Sequence, residues 1–284
     1  MRITYLYIVL VILVSAMVSS CNLEKEVDIV LPDYDTQKVV ECYLEPGEPF
    51  RLLLTNSNAY FDKFNVDDLQ NYIQGLLEQE ATVEISYQDK VELLDNNPFF
   101  NPITRKVFNY TSGSVVPYLP GEEFTLSITT KEGETITANT IMLEKIPIDS
   151  VVIEYDEDTM ARLLTWFSDP IDEENFYRRM LHESSLSDTA TQDFILGDDF
   201  VTDGSVVLGT GYDYIFGDTV INTLYHLNPE HYDYLESVIN SAGANGNPFA
   251  QPGVIISNVE GTNNPLGIFA SLSHDQVFTI IDEP

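Results

Sequence analysis

Catalysis in a chain of this kind would rest on imidazoles, on activated thiols or hydroxyls, or on carboxylates held in pairs. There are four histidines, His182, His226, His231 and His274. No two of them stand at i and i+4, the spacing that sets two imidazoles on one helix face for zinc. His226 and His231 flank an expected helix start, where hydrogen bonding accounts for both. No G-x-S-x-G turn is present to expose a serine nucleophile, and Gly209, Gly211 and Gly217 lack the strand-to-helix context that cradles phosphate. Cys42 sits in the apolar run Val39–Leu44 without a basic neighbour, the setting of a small buried hydrophobe.

Two acid clusters remain, Asp169-Pro-Ile-Asp-Glu-Glu-Asn175 and Asp198-Asp199-Phe-Val-Thr-Asp203-Gly204. Calcium takes six to eight oxygens, supplied by carboxylates alternating along a tight loop. In the second cluster, ligand positions one, three and five are not all acidic in any register. No glutamate stands at the twelfth position from Asp198 or Asp199 either. The reading therefore expects no metal, no cofactor and no enzyme. A hydrolytic carboxylate pair needs side chains roughly 5–9.5 Å apart across a cleft, and nothing in the spacing singles one out. Tyrosine is more suggestive, since it suits surfaces that are apolar at one end and wet at the other. The segments GYDYIFGD and HYDYLE concentrate Tyr212, Tyr214, Tyr232 and Tyr234. The single tryptophan, Trp166, alternates within LLTWFSDP and is expected in the core.

Charge narrows the function classes. Across 284 residues, 13 Lys and Arg face 46 Asp and Glu, a net charge of −33. A phosphate-tracking surface needs clustered cations, so nucleic acid is excluded, as is simple electrostatic adsorption to anionic lipid. Beyond Lys145 the cations are Arg162, Arg178 and Arg179. With 44% hydrophobic residues there is ample material for a core.

The amino terminus is a targeting segment. Arg2 precedes an apolar stretch from Ile3 to Val18 that would rise roughly 24 Å as a helix, short of the roughly 30 Å hydrocarbon core. A basic start, a short apolar run and small residues form a secretory signal. Val18-Ser19-Ser20-Cys21 resembles a bacterial lipobox, in which the thiol of Cys21 accepts a diacylglycerol and the new amino terminus is acylated. Several acyl chains on one residue anchor a protein stably to a bilayer. Residues 1–20 are thus expected to be removed and residues 21–37 to form an acidic tether. Glu24, Glu26 and Asp28 resemble the surface-export signal of Bacteroidota lipoproteins, and Asn22 resembles outer-membrane sorting. Cys42 is then the only free thiol, and no disulfide framework is available.

The elements that must position any site are strands. KVVECYL, PFRLLLTNS, ATVEISYQ, KVFNYTS, EFTLSITTK and ETITANTIM alternate with period two between turn signals such as Pro46-Gly47 and Pro120-Gly121. They predict an immunoglobulin-like β-sandwich over 38–148. Within it, 61–80 carries Val66, Leu69, Ile73 and Leu76 at helical intervals, and Asp95–Arg105 reads as a loop whose Phe99 and Phe100 cap the sandwich end. A second β-rich domain is expected over 149–284. Phe176, Arg178, Met180 and His182 share one strand face there, and Tyr177, Arg179 and Leu181 the other. A helix near 229–241 starts with Asn228 as cap and Pro229 in the first turn, with Tyr232, Leu235, Val238 and Ile239 as its apolar stripe.

Taken in order, the lipobox, VVECYLEPGEPFRLLLTNS, LPGEEFTLSITTKEGETITANTIM, LLTWFSDPIDEENFYR, DFILGDDFVTDG, LNPEHYDYLESV, NPFAQPGVIISNVEG and NPLGIFAS resemble one family. It is the Bacteroidota lipoprotein family catalogued as domain of unknown function 4249, and the likeness runs from about Val39 to Ala270. Its members are typically encoded beside TonB-dependent outer-membrane receptors. The resemblance implies an accessory role, as partner or lid, at such a transporter, with the bilayer engaged through acylated Cys21. The alternative is a stand-alone capture protein that takes a small ligand or divalent cation on its acidic loops. The family has no established catalytic residues to carry over. The resemblance singles out Asp169, Asn175 and Tyr177, the Asp199/Asp203-Gly204 hairpin, and Ser257-Asn258. With Tyr212 and Tyr214 these are the candidate ligand or partner contacts.

Overall fold

A computed structural model describes residues 35–58, 69–170, 174–197, 204–245 and 253–283. The expected lipobox with Cys21, the expected tether as far as residue 34, and Asp199 and Asp203 lie outside the described residues. Residues Thr36–Pro284 form one compact unit. It is mainly β.

The first part is built from β1 (Lys38–Leu44), β2 (Pro49–Asn56), β3 (Thr82–Tyr87), β4 (Lys90–Asn101), β5 (Lys106–Val115), β6 (Glu123–Thr129) and β7 (Thr135–Ile141). Period-two alternation does what it should: Val40, Cys42 and Leu44 point inward from β1, and Phe124, Leu126 and Ile128 from β6. With β14 (Glu260–Gly261) and β15 (Leu266–Ser271) these strands make one nine-stranded sheet, ordered β14-β7-β6-β3-β4-β5-β2-β1-β15. Side chains from β1, β2 and β5 share a single apolar core with those of β3, β6 and β7, so the sheet is folded over on itself.

The closure comes from the far end of the chain. β15 pairs in parallel with β1, Cys42 opposite Phe269, while β14 pairs antiparallel with β7. A boundary at 148/149 would assign these strands to the second domain; their hydrogen bonds place them in the first sheet. Such pairing needs close backbone approach. A Cβ on Gly267, whose φ is +129°, would lie 1.8 Å from the Val40 carbonyl oxygen, and one on Gly261 would lie 2.1 Å from that of Thr135. Only glycine fits at either point.

The second part stacks a three-stranded sheet, ordered β12-β9-β8, on a four-stranded one, ordered β11-β10-β13-β16. Its strands are β8 (Ile148–Tyr155), β9 (Ala161–Ser168), β10 (Phe176–Glu183), β11 (Gln192–Leu196), β12 (Ser205–Gly209), β13 (Thr219–Leu227) and β16 (Ser273–Ile280).

Two helices are described, α1 (Leu69–Leu76) and α2 (Pro229–Asn245). None of the described helices is long and apolar enough to cross a membrane. Four local expectations are corrected. The Asp95–Arg105 segment continues β4 and β5 as a long hairpin arm, Phe100 opposite Val107, because cross-strand pairing outweighs its Asn and Pro content. Phe99 covers Arg51 at 5.4 Å instead of capping the sandwich. Trp166 lies on the outer face of β9, 39% exposed, since the inward positions are taken by Thr165 and Phe167. Asn228 starts α2 through its backbone carbonyl, which accepts from the amides of His231 and Tyr232 at 3.0 Å each. Its side chain instead donates to the Ile141 carbonyl at 2.9 Å and accepts from Ser271 Oγ at 3.1 Å, tying β7 to β15.

The α2 stripe is rotated as well. His231 and Ser237 are buried while Val238 and Ile239 are exposed. The helix seats on aromatic side chains, Tyr43 at 5.5 Å from His231 and Phe176 at 4.6 Å from Tyr232, so fit to those rings selects its inner face.

Candidate functional site

A layer of buried polar groups lies inside the second sandwich. β10 supplies Tyr177, Arg179 and Leu181 on its inward face, the alternation expected from FYRRMLHE. Arg179 is 0% exposed. Its guanidinium donates through Nε to Asn222 at 3.3 Å, through Nη1 to Gln192 at 3.1 Å and through Nη2 to Thr165 at 3.0 Å. Asn222 also donates to Thr165 Oγ1 at 2.6 Å. No carboxylate pairs with Arg179 among the described residues. Burial pulls its pKa down to about 10, partly offset by the Tyr214 hydroxyl, so it stays charged at neutral pH.

This layer splits the sandwich core in two. On one side lie Ile146, Ile148, Phe167, Tyr177 and Leu224; on the other Ala161, Leu163, Leu181, Val220 and Ile281.

A second polar group sits at the end of the first cluster. Tyr177 donates to Asp169 Oδ1 through a short hydrogen bond, and its ring stacks on His226 with centroids 5.4 Å apart. His226 meets the Glu144 carbonyl through Nδ1 at 2.7 Å and Asn175 Oδ1 through Nε2 at 3.1 Å. Asn175 donates in turn to the Pro170 carbonyl at 3.0 Å. All four side chains are buried. Three of the sequence candidates, Asp169, Asn175 and Tyr177, are thus brought together with a histidine. The group reaches from β10 and β13 to the segment joining the two sandwiches and acts as their joint.

The tyrosine candidates lie elsewhere. Tyr214 bridges to Ala161 at the start of β9 and is buried, whereas Asp169 follows the end of that strand. Over eight residues the separation is roughly 25 Å. Tyr212 is exposed, with the Arg162 guanidinium 4.9 Å over its ring. Asn258 mimics a strand: its amide donates to the Phe269 carbonyl at 2.7 Å and accepts from the Phe269 amide at 3.0 Å, filling the gap between β7 and β15. Beside it an open recess of about 360 Å³ is lined by Asn139, Glu230, Asp233, Ser257 and Glu260. Among the described residues no three His, Cys, Asp or Glu side chains converge as a metal site.

Sequence reasoning passed over Arg179 as a site residue, although its place on one strand face with Tyr177 and Leu181 was the signal. It also treated His231 as an ordinary hydrogen-bonding residue. His231 is 1% exposed, and neither ring nitrogen has a hydrogen-bond partner among the described residues. Burial first, then the nearby cations Arg178 and Lys106, lower its pKa to about 3.

These features define a mainly-β protein of two coupled sandwiches whose polar clusters face inward. The chain belongs to the family described as Domain of unknown function (DUF4249), whose model matches residues 24–276. No curated protein matches it. Among solved structures it is similar to one titled "Cytokine receptor complex - Crystal form 1A", at 12% identity and a TM-score of 0.25, over 66% of this chain and 82% of that one. A likeness that low carries no argument.

Proposed function

We propose that the protein is a non-enzymatic, lipid-anchored outer-membrane protein that serves as accessory partner or lid of a TonB-dependent receptor in nutrient uptake. The observation that carries this reading is the register of Cys21 directly after Val18-Ser19-Ser20, followed by an acidic stretch. After cleavage, residues 22–37 could span at most roughly 55 Å before β1 begins. Holding a β-rich body on such a leash raises its effective concentration at a membrane-embedded partner. The inward polar clusters support a non-catalytic role, because Asp169, Asn175, Tyr177 and His226 direct hydrogen bonds to one another and to backbone.

Two experiments test the reading. Incorporation of labelled palmitate is expected in the wild-type chain and absent in Cys21→Ser. Mild-detergent purification of the lipidated protein from native membranes is expected to bring down a TonB-dependent receptor in stoichiometric amount. Elution alone, even after cross-linking, overturns the partnership.

The recess beside α2 favours a second reading, stand-alone capture of a small ligand, because polar side chains line it; a divalent cation there would have to draw together Glu230, Asp233 and Glu260, which do not converge as a metal site. Calorimetry with Ca²⁺ tests that: stoichiometric heat lost on Asp233→Asn would support it, and a flat titration would sink the calcium form of it.

A further inference from the structure

The end of the second sandwich remote from the Asp169 joint collects exposed apolar side chains. Among the described strands β16 is an edge strand, paired only with β13. Val277 packs inward, while Phe278 and Ile280, on the opposite face, are each 62% exposed. The turn before β13 continues the same ladder: Thr219 pairs with Ile280, and the Gly217 amide donates to the Ile281 carbonyl at 2.9 Å. That turn carries Ile215 and Phe216, 56% and 61% exposed, with Tyr212 just ahead. Tyr214 between them is buried against Ala161 and fixes the segment to β9. The Tyr155 hydroxyl donates to the Asp282 carbonyl at 2.7 Å, so the β8–β9 turn stands at this end too. Clustered apolar groups of this size mark a contact surface, and aromatic residues dominate such surfaces.

What rims these residues says what covers them. Glu157, Asp158, Asp213, Asp282 and Glu283 are exposed around them. The nearest cation, Arg162, is held by Glu154 through Nε at 2.8 Å. Past it only two cations remain in the sequence: Arg178, paired with Asp193, and the buried Arg179. A second copy of the chain would set acid against acid, and an anionic lipid surface would be repelled.

We infer that this face, formed by Tyr212, Ile215, Phe216, Phe278 and Ile280, docks a protein whose surface offers an apolar depression rimmed by lysine and arginine. The inference rests on the partner reading above and names the surface that makes the contact. The free edge of β16 adds backbone groups to which a partner strand can pair. The acidic rim steers encounter, and the aromatic centre holds the complex.

The test uses the full lipidated protein in its native membranes. A photoreactive phenylalanine analogue is placed at Phe216, at Phe278, and at Val91 as an exposed control on the other sandwich. Cross-links from 216 and 278 to a receptor peptide containing Lys or Arg, with none from 91, support the proposal. So does an at least tenfold loss of co-purified receptor in Phe216→Glu/Ile280→Glu, provided its circular dichroism and melting match wild type. Should that double variant unfold, Tyr212→Ala/Phe216→Ser carries the same test. A receptor that still co-purifies undiminished, or cross-links from 91 alone, overturns this face and leaves the partnership standing. Cross-links only to lipid or to a second copy overturn the proposed occupant. Absence of any receptor overturns both readings.

Discussion

The two sandwiches bury similar strands in opposite ways. Inside the folded nine-stranded sheet the core is mainly apolar, from Val40 and Leu52 across to Leu126 and Ile128, with Asn109, Thr140 and Ser271 buried where neighbouring segments meet. Inside the second sandwich a cationic layer of Arg179, Asn222, Thr165 and Gln192 divides the apolar residues. Apolar contacts are non-directional and accept repacking, whereas hydrogen-bonded groups out of water hold in one geometry only. The contrast teaches that the first sandwich carries stability and the second fixes the arrangement of β9, β10, β11 and β13. The joint of Asp169, Asn175, Tyr177 and His226 belongs to the second kind.

The sharpest way to break the contrast is at the closure of the first sandwich. Gly267→Val should cost more than about 4 kcal/mol in urea unfolding, because its Cβ meets the Val40 carbonyl oxygen and β15 must leave β1. A wild-type midpoint would show that the parallel pairing carries no weight.

Next come the cores themselves. Leu126→Ala should cost about 2–5 kcal/mol, as any cavity in a packed apolar core does. Arg179→Ala should cost about 3 kcal/mol by a different route, stranding the side-chain oxygens of Asn222 and Gln192 without that donor. Replacing the layer together, Thr165→Val/Arg179→Met/Asn222→Leu, should return stability to within about 1 kcal/mol of wild type. If the triple variant is as unstable as Arg179→Ala, the layer is a net source of stability and the comparison fails.

A smaller effect separates two buried tyrosines. Tyr177→Phe removes a hydrogen bond to a carboxylate and should cost about 1.5–3 kcal/mol. Tyr110→Phe in the first core removes a neutral bond from the Ala81 amide, 2.9 Å, and should cost about 1 kcal/mol. Equal losses in thermal unfolding would erase the distinction.

A further effect, comparable in size, is a pH dependence seated at α2. The folded pKa of His231 is lowered to about 3 against a usual value of 6.5. The unfolded chain therefore binds the proton first on acidification. The stability tied to neutral His231 is whole above pH 6.5 and falls away toward pH 3. Between pH 6.5 and 5 the loss should be about 1.5 kcal/mol, and His231→Phe should flatten it. An unchanged slope in that variant would assign the acid sensitivity to other groups.

Much of the fold was legible because period-two alternation reports burial directly. Val40-Cys42-Leu44 and Tyr177-Arg179-Leu181 each occupy the face that the pattern implied. The pattern failed where the neighbouring surface decides. Phe99 finds Arg51, Asn228 is drawn from its helix to β7 and β15, and α2 turns His231 inward to meet Tyr43. Of the candidate site, Asp169, Asn175 and Tyr177 were legible as a group because they are close in the chain. His226, some fifty residues away, joins them only through the pairing of β10 with β13, Tyr177 opposite His226.

The sequence by itself determined the strong negative charge, the place of Cys21 directly after Val18-Ser19-Ser20, the mainly-β class and the inward face of most strands. These are local properties, written in composition and in the alternation of neighbouring residues. The tertiary structure decided the rest. It took β14 and β15 from far along the chain to close the first sandwich, enclosed Arg179 with no carboxylate partner among the described residues, and tied the Ile215-Phe216 turn to the end of β16 through the bond from the Gly217 amide to the Ile281 carbonyl. Each depends on pairing between segments far apart in sequence, and no local pattern encodes which distant strand supplies the partner.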